Sequence, residues 1–328
     1  MTIKLKIIPV IILTFLFNHL FSIAQDTKNI EQTNTLIVSE TSDTITCLNV
    51  DRSTSVLKKN PEKVISCYTS FVSLWYLAGG KLIAIPNTKH KNLLIEPYNK
   101  LELIGSVTSP NVEKIISLKP DLVLLSAQME KHWELREILK SARINSLLLD
   151  YNNYYDFLTL SLLFSKINGK EIDNNQELKT IINDINSIID RAQKNRKIRF
   201  LSIFASAIKA NKAETSEANT ALIAKLLGAE NIIDNLKIKT KSINIDLSME
   251  KIFEQDPDII LITTMGDEKI IQEKMRTFLK NDPLWSQLSA IKKDRFYFLP
   301  NELFLYKANE NYPEAFKIIY QILYEDKK

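Results

Sequence analysis

Short apolar runs bounded by Pro, Gly, Asn and Asp alternate with amphipathic stretches along most of this chain, and one such block occurs twice. Its first copy is Glu113-Lys114-Ile115, four residues, then Pro120-Asp121-Leu122-Val123-Leu124; its second is Glu250-Lys251-Ile252, four residues, then Pro257-Asp258-Ile259-Ile260-Leu261. Proline lacks an N–H and clashes with the preceding turn, so a short helix must stop before each Pro-Asp and the apolar run after it becomes a strand. Runs that are apolar on both faces belong in parallel sheets covered by helices. The spacing of the copies is too long for a solenoid repeat and fits two similar α/β lobes.

In the first lobe the pattern predicts strands at Val64 to Cys67, Leu82 to Ile85, Leu101 to Ile104, Leu122 to Leu125 and Ser146 to Leu149, with helices near 70–78, 110–118 and 130–142. In the second it predicts strands at Arg199 to Phe204, Asp258 to Ile262 and Phe296 to Leu299, with helices near 218–227, 247–255, 267–280 and 312–324. Between them Leu178, Ile181, Ile182, Ile185, Ile188, Ile189 and Ala192 recur at three- and four-residue steps, so one face of a helix from Asn174 to about Lys194 is apolar. Such a helix is roughly 30 Å long and acts as a stiff strut that limits the lobes to small movements. The expected division is 44–172 for the first lobe with an initial hairpin, 173–196 for the connecting helix and 197–328 for the second lobe. The hairpin is read from Thr44 to Val50 and Thr54 to Leu57 around Asp51-Arg52-Ser53.

Residues 1–24 carry Lys4 and Lys6, an apolar run from Ile7 to Phe17, and Ser22-Ile23-Ala24 before Gln25. This is the layout of a secretory signal peptide, and Asn18 and His19 interrupt the run short of the roughly 20 apolar residues a membrane span needs. Cleavage near Ala24 is expected, followed by a polar leader at 25–43 and a protein that does not span the membrane. With no cysteine at the cleavage point for a lipid, a freely soluble exported protein is retained by an outer membrane, so the expected location is the periplasm. Cys47 and Cys67 then lie where disulfides are permitted, but Cys67 ends an apolar strand and reads as a small buried hydrophobe.

A length of 328 residues and 45% hydrophobic content allow about two domains with real cores. The net charge of +4 becomes +2 when Lys4 and Lys6 leave with residues 1–24, which gives no reason to expect nucleic acid. Six glycines form no Gly-x-Gly-x-x-Gly and no P-loop, and neither His-Glu-x-x-His nor Gly-x-Ser-x-Gly occurs, so no cofactor and no catalytic residue are expected. Asp121 and Asp258 read as parts of the strand starts. A protein-held metal is not expected either, since after residue 24 only His90 and His132 remain, both read as exposed loop residues.

Ligands of α/β sheets bind beyond the carboxyl ends of the strands. That rule selects Tyr68 and Thr69, residues 86–88, the stretch from Ser126 through Gln128 to Trp133, Ala205 to Lys209 with Ser206, Thr263 to Gly266 with Met265, and Asn301 with Glu302; Ser106 is a further candidate ligand contact. Tyr68 and Trp133 offer flat faces for a flat ligand, and Lys89, Lys131 and Lys209 offer positive charge for an anionic one.

The paired blocks, the long middle helix and the export signal together resemble class III substrate-binding proteins of ABC importers, the group serving ferric siderophores, haem and cobalamin. The likeness runs over about residues 44–324 and is carried by Pro61-Glu62-Lys63-Val64-Ile65-Ser66, by Ile104-Gly105 with Ser109-Pro110-Asn111-Val112-Glu113-Lys114-Ile115, and by Leu118-Lys119-Pro120-Asp121-Leu122-Val123. Leu227-Gly228-Ala229-Glu230-Asn231-Ile232, Leu247-Ser248-Met249-Glu250 and the stretch from Trp285 to Pro300 continue it. The resemblance implies two α/β lobes with central, mostly parallel sheets, one backbone helix, a monomer, and an iron complex held in the cleft between the lobes. It also implies that Glu113 and Glu250 dock onto two permease subunits. Read as helix N-caps, Ser109 and Asp246 place each glutamate in a first helical turn, where the helix dipole favours an acid by about 0.3 to 1 kcal/mol. In some haem-binding relatives a tyrosine follows the glycine matching Gly105; here Ser106 stands there, which weighs against haem. Cobalamin or haem as cargo, a sensor that feeds a signalling partner, and a two-lobed α/β enzyme of glycosyltransferase-like kind are the alternative readings.

Overall fold

The computed structural model describes residues 36–88, 98–206, 212–236, 242–246 and 249–325. The expected signal peptide and the expected leader up to residue 35 lie outside the described residues, as do Lys89, His90, Lys209, Leu247 and Ser248.

The chain enters through a three-stranded antiparallel sheet, β1 (Ile37–Glu40), β2 (Thr44–Leu48) and β3 (Thr54–Lys58). β2 and β3 are the expected hairpin. β1 falls inside the stretch expected to be an unstructured leader: Leu36 and Ile37 pack half-buried on the core, and the Leu48 N–H donates to Leu36 O at 2.8 Å. Asn49 fastens this sheet to the first lobe by accepting the Leu148 N–H at 2.8 Å.

The first lobe runs β4 (Val64–Ser66), α1 (Thr69–Leu77), β5 (Ala84–Ile85), β6 (Glu102–Leu103), the small hairpin β7 (Gly105–Ser106) and β8 (Ser109–Pro110), α2 (Val112–Ser117), β9 (Leu122–Ser126), α3 (Glu130–Ser141), β10 (Ser146–Leu149) and α4 (Tyr154–Ile167). Its sheet is parallel throughout, in the order β10-β9-β4-β5-β6. Every residue of β9 and β10 is buried, as the doubly apolar runs require. The helix α4 has no counterpart in the predicted elements. It is apolar on all sides, with Phe157, Leu160, Leu163, Phe164 and Ile167 buried, so it lacks the polar stripe by which a surface helix is recognised.

The connecting helix α5 (Gln176–Ala192) follows, about 25 Å long at 1.5 Å per residue. Leu178, Ile181, Ile182, Ile185, Ile189 and Ala192 are its buried stripe. It is tied at both ends: Asn175 caps it and donates to Leu77 O at 2.6 Å, while Gln193 donates to Leu226 O at 3.4 Å.

The second lobe contains β11 (Arg199–Ser206), β12 (Lys212–Glu214), α6 (Asn219–Leu226), β13 (Glu230–Asn231), β14 (Asn244–Asp246), α7 (Met249–Gln255), β15 (Ile259–Met265), α8 (Glu268–Asn281), α9 (Ser289–Lys292), β16 (Phe296–Phe298), α10 (Asn301–Phe304) and α11 (Tyr312–Tyr320). β11 pairs in parallel with β15 and β13, and β15 with β16; β12 and β14 add an antiparallel flank that the short polar runs did not reveal. In both repeated blocks the residue before proline, Lys119 and Asp256, takes positive φ (49° and 38°) and ends its helix.

One apolar cluster joins both lobes and α5. Tyr154 and Phe157 of α4 pack on Tyr312 of α11, with ring centroids 5.1 and 5.0 Å apart, and Tyr154 also meets Phe316 at 5.1 Å. Cys47 and Cys67 are buried free thiols in different clusters, and burial pushes the Cys47 thiol up to about 12.

Candidate functional site

In the first sheet the chain order reverses between β4 and β9, so a crevice opens where their carboxyl ends diverge. Tyr68 follows β4 and Gln128 follows β9, and the structure brings them together: the Tyr68 hydroxyl donates to Gln128 Oε1 at 3.0 Å. Gln128 Nε2 donates to Tyr151 O at 2.9 Å and to Asn152 Oδ1 at 2.7 Å, which locks the amide. Beneath it the Tyr68 ring meets Phe71 edge-on at 5.1 Å. Thr69 begins α1 and lines a partly open space of about 50 Å³ with Ser70, Ser73 and Tyr98 on one side and Glu302, Tyr306, Lys307, Asn309 and Glu310 on the other. That volume holds a water or two. It lies where the two lobes meet and forms the floor between them.

The two lobes are stitched together around this floor. Asn309 accepts from the Tyr151 hydroxyl at 2.7 Å and donates to Ser70 O at 2.9 Å and Ser73 Oγ at 2.7 Å. Lys307 reaches from the second lobe to Asn152 O at 2.9 Å, and Asn153 Nδ2 donates to Glu217 O at 2.9 Å. Asp156, in the capping box of α4, accepts the Asn152 N–H at 2.6 Å. Burial pushes the Asp156 carboxyl up to about 6, against the pull of those N–H groups. Burial also lowers Lys307 to about 8, although Asp156, Glu214 and Asp150 act on it in the opposite sense. Glu214, hydrogen-bonded by the Ser202 hydroxyl, is raised by burial. Asn152, Asp156, Glu214, Lys307 and Asn309 escaped the sequence reading. Only the Asn153-x-x-Asp156 capping box carried a local signal.

Other predicted residues fall elsewhere. Ser206 and Met265 are register partners at the carboxyl ends of β11 and β15, and Met265 is 39% exposed. Asn301 is buried and its Oδ1 accepts from Thr264 Oγ1 at 3.2 Å, so its carbonyl faces its own sheet. Ser106 spends its hydroxyl on its own turn, accepting the Ser109 N–H at 3.0 Å. Trp133 lies on α3, 41% exposed, with its indole N–H on Ala127 O at 2.9 Å. Lys131 is paired with Glu134 at 2.7 Å, while Lys209 and Lys89 lie outside the described residues. His132 corrects the expectation of an exposed loop residue. It is fully buried, its Nδ1 accepts the Ser126 N–H at 2.9 Å and its Nε2 faces Val107 O at 2.9 Å. Because Nδ1 accepts from a backbone N–H, the proton sits on Nε2 and goes to Val107 O; burial lowers the pKa and keeps the ring neutral.

Glu113 and Glu250 are both exposed in the first turns of α2 and α7. The expected cap of α2 differs. Asn111, not Ser109, caps α2 by accepting the Lys114 N–H at 2.9 Å, since Ser109 is still in β8. Asp246 ends β14 and pairs with Lys212. Among the described residues no three His, Cys, Asp or Glu side chains converge as a metal site, and no helix is long and apolar enough to cross a membrane.

Residues 64–303 match the family described as Periplasmic binding protein. The chain is 26% identical over 245 residues to the Fe(3+)-citrate-binding protein YfmC of Bacillus subtilis (strain 168), covering 72% of each protein. It is 25% identical over 237 residues to the high-affinity heme uptake system protein IsdE of Staphylococcus aureus (strain MRSA252), covering 70% of this chain and 77% of that one. A solved ABC transporter substrate-binding protein from Listeria monocytogenes EGD-e superimposes with a TM-score of 0.70 at 25% identity, over 82% of this chain and 100% of the other.

Proposed function

The chain belongs to the periplasmic binding protein family, and on that premise we propose that it is the solute-binding component of an ABC importer, capturing an iron complex between its lobes and handing it to a permease. The observation that carries this reading is the cleft at the carboxyl ends of the first sheet, with the interlocked Tyr68 and Gln128 on one wall and Glu302 and Lys307 on the other. The likeness to an Fe(3+)-citrate-binding protein supports iron as the cargo's metal. Haem is the second reading, supported by the likeness to a haem uptake protein.

The cargo sits above the floor against Tyr68, Thr69, Gln128, Met265 and Ser206, with Trp133 at the rim; Lys209, the remaining candidate, lies outside the described residues. Ser106 and Asn301 support neighbouring loops and are ligand residues only through them. Glu113 and Glu250, one per lobe on exposed first turns, are the permease contacts. Export with cleavage near Ala24, a periplasmic location, a monomeric state and the absence of catalysis belong to the same reading.

The test is to purify residues 25–328 and titrate tryptophan fluorescence with ferric siderophores, ferric citrate, cobalamin and haemin. Trp75 and Trp285 are buried, so Trp133 at the cleft rim is the reporter. Saturable quenching by an iron complex is expected, and lost in Trp133→Phe. Binding of none of these, with turnover of a nucleotide sugar, would overturn the reading.

A further inference from the structure

We propose that the open edge of β16 in the second lobe is a docking site for an extended segment of another protein that carries an acidic residue and joins the sheet as one more strand. The site lies outside the cleft and does not depend on what the cleft carries.

The first lobe shows how such an edge is covered. β10 and β16 hold the same place in the two sheets, each beside the strand that follows Pro-Asp: Ser146 and Leu148 pair with Val123 and Leu125, as Phe296 and Phe298 pair with Ile260 and Ile262. In a parallel ladder alternate residues bond to the same neighbour. Asn145 O and Leu149 O accept from the β9 side, so Ser146 and Leu148 turn their backbone groups outward. There the entry hairpin meets them. The Val50 N–H donates to Leu148 O at 3.0 Å, Asn49 Oδ1 accepts the Leu148 N–H at 2.8 Å, and the Ser55 hydroxyl donates to Ser146 O at 3.0 Å. Arg136, five residues before the last residue of α3, fastens this cover by donating to the Asp51 carboxylate and the Ser53 hydroxyl.

The second lobe has the same edge and a matching arginine without the cover. Arg295 O accepts the Ile260 N–H at 3.0 Å and the Leu299 N–H donates to Ile262 O at 2.9 Å, so Phe296 and Phe298 turn their N–H and C=O groups outward. Among the described residues no strand pairs with that edge, and no loop reaches it as Val50 reaches β10. A groove of about 260 Å³ runs there instead, between Gln272 and Arg276 of α8 on one wall and Ile318 and Ile322 on the other. Arg276 stands five residues before the last residue of α8, the place Arg136 has on α3. Its guanidinium lies over the Phe296 and Phe298 rings, 5.3 and 5.1 Å from their centroids, and it is exposed. Among the described residues it has no ion pair, and the nearby Asp294 is taken by Lys280 at 3.1 Å.

These features set the chemistry of the occupant. An uncovered edge pairs with extended backbone, and a strand turns successive side chains to opposite faces. The segment therefore directs an acidic residue to Arg276, as Asp51 is directed to Arg136, and alternates it with an aliphatic residue toward Ile318 and Ile322.

The test titrates residues 25–328 with a fluorescein-labelled peptide of residues 48–54, the stretch that covers the first lobe's edge, read by fluorescence polarisation. Binding is expected, weakened at least fivefold by Asp51→Asn in the peptide and at least fivefold by Arg276→Gln in the protein. Amide exchange at Phe296 and Phe298 should slow at least tenfold at saturation. No binding, equal binding of the Asn peptide, or an affinity unchanged in Arg276→Gln would each overturn the proposal. Slow exchange of both amides in the free chain would overturn it too, since the chain would then cover its own edge, and so would self-association that Arg276→Gln reverses, which gives the groove to a second copy. Binding of iron complexes should be the same in Arg276→Gln, so this inference and the receptor reading can each fail without the other.

Discussion

Asp258 grips both backbone polar groups of Arg199: its Oδ2 accepts the Arg199 N–H at 2.9 Å, and its own N–H donates to Arg199 O at 2.8 Å. The first lobe repeats the device. Asp121 Oδ2 accepts the Glu62 and Lys63 N–H groups at 2.9 and 2.8 Å, and the Asp121 N–H donates to Lys63 O at 2.8 Å. In each lobe the aspartate of Pro-Asp therefore sets the register of its own strand against the lobe's first strand, β9 on β4 and β15 on β11. The duplicated motif is a strand clip, and the glutamate eight residues before each aspartate is carried along on the preceding helix.

Asp121→Ala should cost about 2 kcal/mol and Asp258→Ala about 1 kcal/mol, because the first removes an acceptor from two backbone N–H groups and the second from one. Sited in different lobes and sharing no partner, the two losses should add within about 0.5 kcal/mol in urea unfolding. A double mutant no worse than the single ones would contradict separate clips.

Glu113→Arg with Glu250→Arg should abolish uptake while ligand affinity stays unchanged. Both side chains are exposed and neither touches the cleft floor. Iron-dependent growth and fluorescence titration of the purified variant measure the two sides; a fall in affinity would remove the docking assignment.

His132→Phe should destabilise the chain by about 3 kcal/mol. The ring is fully buried, and its loss strands the Ser126 N–H and Val107 O, each left without its 2.9 Å partner. Because Ser126 starts the loop that carries Gln128, ligand affinity should fall as well. Denaturant unfolding together with titration checks both effects.

Asp156→Asn should remove a pH dependence of unusual sign. With its carboxyl raised from 3.8 to about 6, the folded state binds the proton more tightly than the unfolded one between those values. Its contribution to stability therefore falls as pH rises from about 4 to about 6, by on the order of 2 kcal/mol. Glu214, also raised, adds in the same direction above its ordinary value. His132, lowered, opposes them, its contribution rising with pH up to 6.5. The wild type minus Asp156→Asn difference in melting free energy isolates the first effect; a flat difference across pH 4 to 6 would contradict it.

Much of the secondary structure was legible because burial on one face leaves a period. The stripe from Leu178 to Ala192 announced α5, and the doubly apolar runs announced β9, β10 and β15. Where burial is complete the period vanishes, which hid α4. His132 misled for a related reason: a histidine beside Lys131 and Trp133 reads as surface, yet its place on α3 turns it inward while both neighbours point out.

The sequence by itself determined the two-lobed α/β plan, the rigid connecting helix and the positions of the paired glutamates, since each follows from local periodicity and from proline's geometry. It also pointed to Tyr68 and Gln128, because the carboxyl ends of strands can be named from the apolar runs alone. Only the tertiary structure decided what those residues can do. Gln128 is locked by a carbonyl on Tyr151 and holds the Tyr68 hydroxyl, and the floor is closed by Lys307 and Asn309 from the opposite end of the chain. Hydrogen-bond roles depend on which groups meet across more than 150 residues of sequence, and no local pattern encodes that meeting.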